Sequence, residues 1–208
     1  LDASVLPRTE VLRHVLEYSL LAAHRHVFGV FFWFVALSAM GLGPAGAVLY
    51  RMAEFGSRYW SYKSQVTGAA THDRLMNLSL KLFTWLDHVP SRMTAFGFAV
   101  VGNFEDAVDA WRRHAVLWVR PNEGTILSAA SGALGVRLGG QAAPSADGRD
   151  VSRTLSQGDG SDVIDAEGST TGAPPEMAHL RSVVGLIWRS VVLWMLLLAL
   201  LSLANLIG

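Results

Sequence analysis

The 208-residue chain contains no cysteine, which excludes disulfides, thiolate nucleophiles, cysteine-ligated zinc and iron–sulfur clusters and leaves the redox compartment unreadable. Charge is also scarce, with 16% of residues charged against about 25% in an average soluble protein. The 17 basic and 17 acidic residues cancel, and the basic ones are scattered, so the concentrated positive face that a nucleic-acid partner needs is missing. There is no Gly-x-Ser-x-Gly elbow, no Walker loop, no His-Glu-x-x-His and no dinucleotide fingerprint, which removes the common hydrolase, NTPase, metalloprotease and dehydrogenase readings. No pattern asks for a cofactor. The sequence starts at Leu1 without a charged n-region and cleavage site, so no signal peptide is read and the chain is expected to be a fragment with further spans upstream.

What is abundant is apolar surface: 51% of residues are hydrophobic and the mean hydropathy is +0.32. Val27 to Tyr50 is a run of 24 uncharged residues, about 36 Å as a helix and enough for a hydrocarbon core of about 30 Å. Gly41, Gly43, Pro44 and Gly46 predict a kink or re-entrant break in its second half. Ser190 to Gly208 is a second uncharged run of 19 residues, preceded by Arg181 and Arg189. Positive charge on that flank places it in the cytoplasm, and with it the region between the spans. The expected class is an all-α, polytopic helical protein of the bacterial inner membrane, with two clear spans, buried or re-entrant short helices and lipid as a partner.

Three further helices are legible. Thr9 caps one that runs to His26 with an apolar stripe of Leu12, Val15, Leu16 and Leu20. Another covers Asp73 to Val89, with Pro90 as its stop. A third starts at the cap Asn103, with Asp106 three residues on, and carries Trp111 and Trp118, suited to a membrane interface. Met93 to Gly102 is too short to span alone and is read as a buried or re-entrant segment. Residues 141–176 turn to Gly, Ser, Pro and acidic residues, seven acidic against two basic and no aromatic, a composition that predicts a disordered linker. The domains expected are therefore a membrane domain over 1–140, a linker over 141–176 and a terminal anchor over 177–208.

The most informative run is Pro121-Asn122-Glu123-Gly124 followed by Ser131 to Gly140. Gly132, Gly135, Gly139 and Gly140 would leave backbone amides open, and Arg137 could fork two bonds onto a phosphate or carboxylate. Packing is the alternative, since Ser131, Gly135 and Gly139 repeat at the four-residue spacing that lets helices approach closely. In His24-Arg25-His26, residues two apart on a helix point about 200° apart, so chelation of one metal ion is not read. Anion or headgroup binding by His24, Arg25 and His26 is read instead. Asp73 after His72 reads as a helix-start acid rather than half of an acid–base dyad.

Gly132-Ala-Leu-Gly-Val-Arg-Leu-Gly-Gly140 after the Pro-Asn-x-Gly turn resembles the signature of the CobD/CbiB cobalamin-biosynthesis membrane proteins. Phe31 to Phe34 leading to Gly43 to Arg51, and Leu86 to Thr94, are similar to the same family, and the likeness covers roughly residues 10 to 140 plus a terminal span. The resemblance implies an amide ligation of aminopropanol or its phosphate to a corrinoid carboxylate, with Asn122 and Arg137 gripping a carboxylate or phosphate. Where that family carries an acidic and amide cluster before the first span, this chain reads Ala22 to Val27 without a carboxylate. That stretch, and Arg51 to Trp60, look more like AmpE, a related membrane protein linked to β-lactamase induction. Two functions are thus open: a corrinoid-modifying enzyme, and a non-catalytic AmpE-like membrane protein in cell-wall sensing.

Overall fold

The structure, a computed structural model, describes residues 8–67, 70–139 and 170–207, and among these it is built of helices, with an isolated β-bridge between Val136 and Ala173. In chain order these are α1 (Arg8–Ala23), a π-helical turn (His24–Phe28), α2 (Gly29–Ala39), α3 (Ala45–Thr67), α4 (Ala70–Leu86), α5 (His88–Val101), α6 (Phe104–His114), a 3₁₀ turn (Ala115–Leu117), α7 (Pro121–Leu134) and α8 (Met177–Ile207).

The first apolar run does not cross as one helix. It breaks between Ala39 and Ala45, where Gly41 (φ +80°) and Gly43 (φ +56°) adopt left-handed backbone that a Cβ disfavours, and Pro44 has no N–H to continue a ladder. The chain reverses, and α3 packs back along α2 so tightly that a Cβ on Gly46 would lie 1.9 Å from the Trp33 carbonyl oxygen. The helical run long and apolar enough to cross a bilayer is instead Arg8–Ala39, 32 residues through α1, the π turn and α2. A second, Met177–Leu200, lies in α8, which begins 13 residues before the uncharged run at Ser190.

Other boundaries moved for local reasons. α4 stops at Leu86, before Asp87, and Pro90 sits in the first turn of α5, where its missing N–H has no intrahelical acceptor to lose. Met93 to Val101 is thereby part of a core helix, with Ala95, Phe98 and Ala99 fully buried. Asn103 caps α6 as expected, its side chain accepting from the Asp106 N–H at 3.4 Å. Trp118 is buried rather than interfacial, lying over Gly124, where any Cβ would come within 2.7 Å of the indole. Pro121 to Gly124 is no free turn but the start of α7, with proline at its first position.

The core is formed where α1, α5, α7 and α8 meet, through Leu16, Leu20, Phe98, Ile126, Leu127 and Leu186. Each such side chain contributes about 1.5–3 kcal/mol on leaving water. Phe28 meets Phe98 edge-on at 5.8 Å, tying the π turn to this centre. Beyond α7, the segment 135–138 pairs with 170–173: Arg137 N–H donates to Ala173 O, Ala173 N–H to Gly135 O and Thr170 N–H to Leu138 O, all at 2.9 Å. The last seven residues of the expected linker, 170–176, are thus placed, with Thr170 buried and its hydroxyl 2.7 Å from Ser131 Oγ. Residues 141–169 of that linker lie outside the described residues.

Candidate functional site

A cavity of about 330 Å³ opens between the π turn, the middle of α3, the end of α4 and the start of α7. Its floor is organised by Asp87, which occupies the break between α4 and α5 and is 4% exposed. Tyr50 OH donates to Asp87 Oδ1 at 2.7 Å, and His24 Nε2 lies 2.8 Å from the same oxygen. Asn122 Nδ2 donates to the Thr84 carbonyl at 2.9 Å and to Asp87 Oδ2 at 3.3 Å. With the carboxylate accepting, His24 presents Nε2–H to it, and Nδ1 lies 2.9 Å from the Thr94 hydroxyl. Five side chains, from the π turn, α3, α5, α7 and the α4–α5 break, are fixed by one network, each rotamer set by its neighbour.

Two more carboxylates line the walls. Glu123, in the first turn of α7, takes Arg25 Nη2 at 2.7 Å and Arg120 Nη1 at 3.1 Å on one oxygen. Glu54, 1% exposed on α3, takes Arg51 Nη1 on Oε2 at 2.6 Å, and Arg58 Nη2 lies 3.1 Å from Oε1. The lining therefore carries Arg25, Arg58 and Arg120 against Glu54, Asp87 and Glu123, with Ser57 and Ser61 between. Equal numbers of fixed guanidinium and carboxylate groups around a small cavity suit a ligand bearing both an anionic and a cationic group.

Of the residues expected to bind, the structure brings His24, Arg25 and Asn122 together here. His26 points away and is exposed, with Arg51 Nη1 2.8 Å from its Nδ1. Arg137 is not in the lining, and its side chain is exposed. Its backbone N–H is paired with Ala173 O, and its head is in the open. Arg137→Ala is accordingly expected to leave protein abundance and activity within twofold of wild type, checked by quantitative immunoblot beside complementation.

The glycines do not form an open loop either. Gly132 lies inside α7 against the α6 backbone, Gly135 (φ +67°) ends α7, and Gly139 is clamped by Arg13 Nη1 on its oxygen and by Glu17 Oε1 on its N–H, both at 2.7 Å. Gly140 lies outside the described residues. Because Gly135 terminates the helix, Ser131, Gly135 and Gly139 do not share a helical stripe, and the close approach to α6 is made at Gly132.

Tyr50, Glu54, Asp87 and Glu123 were not read as site residues. One signal existed: Glu54 is the only acid between Glu17 and Asp73, and a lone carboxylate in so apolar a stretch needs a buried purpose. The carboxylates that line the cavity come from α3, the α4–α5 break and α7.

The family model described as CobD/Cbib protein matches residues 2–166. A cobalamin biosynthesis protein CobD from Stutzerimonas stutzeri (strain A1501) is 30% identical over 198 residues, covering 95% of this chain and 57% of the relative. Another protein of that name, from Chromobacterium violaceum, is 34% identical over 146 residues, covering 68% and 42%. The chain thus spans about half the length of the curated relatives it matches. No solved structure matches. Neither relative supports the AmpE-like alternative. With the family model covering most of the sequence and both relatives named for the same pathway, the chain belongs to the CobD/CbiB family of cobalamin-biosynthesis proteins.

Proposed function

We propose that this chain is the membrane-embedded, site-bearing part of an enzyme that joins an amino alcohol or its phosphate to a corrinoid carboxylate through an amide bond. The observation that carries the reading is the cavity in which Arg25, Arg58 and Arg120 face Glu54, Asp87 and Glu123. A small amino-alcohol phosphate needs donors for its phosphate and acceptors for its amine, and both sets are present within one cavity of about 330 Å³. The corrinoid is far larger than the cavity, so only its reacting side chain enters. Guanidiniums at the mouth, above all the half-exposed Arg120, are placed to meet its carboxylate. Asp87, His24, Tyr50 and Asn122 hold the walls in position for attack of the amine on the carboxyl carbon, and the carboxyl oxygen whose C–O bond breaks leaves on a phosphoryl or adenylyl group that a nucleoside triphosphate would supply.

Membrane integration is supported by α8, whose candidate span leaves Trp188, Val192, Met195 and Leu196 more than half exposed. Apolar surface of that extent on a helix of this length is suited to acyl chains.

The test is complementation of a strain lacking the authentic enzyme, with amide product followed by mass spectrometry. Wild-type chain is expected to restore product, and Arg25→Met, which keeps the stem and removes the charge, to lower it by about a hundredfold. Product formation unchanged in Arg25→Met and Glu123→Gln at equal abundance would remove the cavity from the reaction.

A further inference from the structure

α3 is amphipathic in the reverse of the usual sense. The side it turns inward carries Tyr50, Glu54, Ser57 and Ser64, all buried, while Val48, Met52, Phe55, Tyr59, Tyr62 and Val66 stand outward, 43% to 67% exposed. Spacings of four, three, four, three and four place those six on one continuous stripe. In water this arrangement would bury the polar groups and leave the apolar ones solvated, which is the costly assignment for both.

We infer that α3 is a third lipid-contacting helix, with this stripe against the acyl chains of the same bilayer that holds α2. The inference rests on the membrane reading above and extends it to a helix that hydropathy passes over. Arg51, Glu54, Arg58 and Lys63 keep α3 out of the two apolar candidates. Yet Glu54 is buried and bridged to both arginines, so its charge and theirs are answered within the protein. Geometry gives the occupant: α3 reverses from α2 through a five-residue turn and lies in backbone contact with it at Gly46. If α2 is within the hydrocarbon layer, α3 is beside it. Its 23 residues extend about 34 Å, enough for a core of about 30 Å. Toward its end, Lys63 Nζ lies 5.6 Å from the Tyr59 ring and 5.3 Å from the Trp60 ring, an aromatic and cationic cluster of the type that sits at headgroup level. The cavity behind Glu54 and Ser57 is then screened from lipid by α3 itself.

The absence of native cysteine makes the test direct. Single variants Met52→Cys, Phe55→Cys, Leu196→Cys and Glu176→Cys of the full chain are spin-labelled and reconstituted in phosphatidylcholine–phosphatidylglycerol vesicles, and collision with oxygen is compared with collision with a water-soluble nickel chelate. Labels at 52 and 55 are expected to match Leu196→Cys, several-fold richer in oxygen contact than the aqueous reference Glu176→Cys. If Leu196→Cys reads lipid while 52 and 55 read like Glu176→Cys, the inference is overturned and the membrane reading stands. Poor access to both reagents at 52 and 55, with spin–spin broadening between copies, would also overturn it by showing a second chain on the stripe. Nickel access at Leu196→Cys would take down the membrane reading and this inference together.

Discussion

Asp87→Ala is expected to destabilise the folded chain by about 3–5 kcal/mol, a large share of the roughly 5–15 kcal/mol that holds a typical domain. Tyr50 OH and His24 Nε2 both rest on Asp87 Oδ1, at 2.7 and 2.8 Å, and Asn122 leans on the other oxygen at 3.3 Å. Deleting the acceptor leaves a phenol and an imidazole N–H buried with a long 3.5 Å contact to each other in place of a charged acceptor, whereas Asn122 keeps its bond to Thr84 O. Asp87→Asn should fall between wild type and alanine, because one amide oxygen still accepts while the NH₂ confronts a donor. The measurement is the unfolding midpoint in detergent titrated with dodecyl sulfate, read by tryptophan fluorescence. A shift in Asp87→Ala no larger than that of Thr94→Ala, which removes one hydroxyl from the edge of the same network, would show that Asp87 is not its centre.

Gly132→Val should be nearly as damaging, at about 3 kcal/mol, for a steric reason. A Cβ there would sit 2.2 Å from the Asp106 carbonyl oxygen and 2.7 Å from the Ala107 Cα. Both obstacles are backbone, so no side chain can swing aside and α6 must separate from α7. Gly135 makes the contrasting case, since a Cβ added to it meets nothing within 4 Å and only its φ of +67° resists substitution. Gly135→Asn should therefore be nearly neutral and Gly135→Ala should cost about 1–2 kcal/mol. The same titration separates the two mechanisms. Equal tolerance at 132 and 135 would restore the reading of this run as an open ligand loop.

Helices were legible from residue order where a local cause dictated them. Asn103 with Asp106 marks the start of α6, and the Gly41–Pro44 cluster marks a break. What order along the chain could not convey was the consequence of that break, a reversal that turns one presumed span into a hairpin. Asn122, His24 and Arg25 were recoverable because amide, imidazole and guanidinium groups next to apolar stretches demand partners. The partners themselves were not, since Asp87, Glu54 and Glu123 stand 63, 30 and 99 positions from His24, and a charge pair across such distance is a product of packing. The exposure of Arg137 was hidden for the complementary reason. Its neighbours in sequence are small and apolar, but exposure depends on which side of the 135–138 segment faces outward, and that is fixed by Thr170 to Ala173, more than thirty positions on.

The π-helical turn at His24–Phe28 acts as a phase shifter between two otherwise ordinary helices. It holds one residue more than an α-helical turn would, so α1 is rotated by about 100° relative to the setting an uninterrupted helix would give it. That offset sets the bearing of α1, which carries Leu16 and Leu20 into the core and leads to His24 and Arg25 at the cavity, against that of α2. The chain is consequently more sensitive here to length than to identity: a single-codon deletion inside the turn would substitute nothing, yet would dial every upstream side chain to a different bearing.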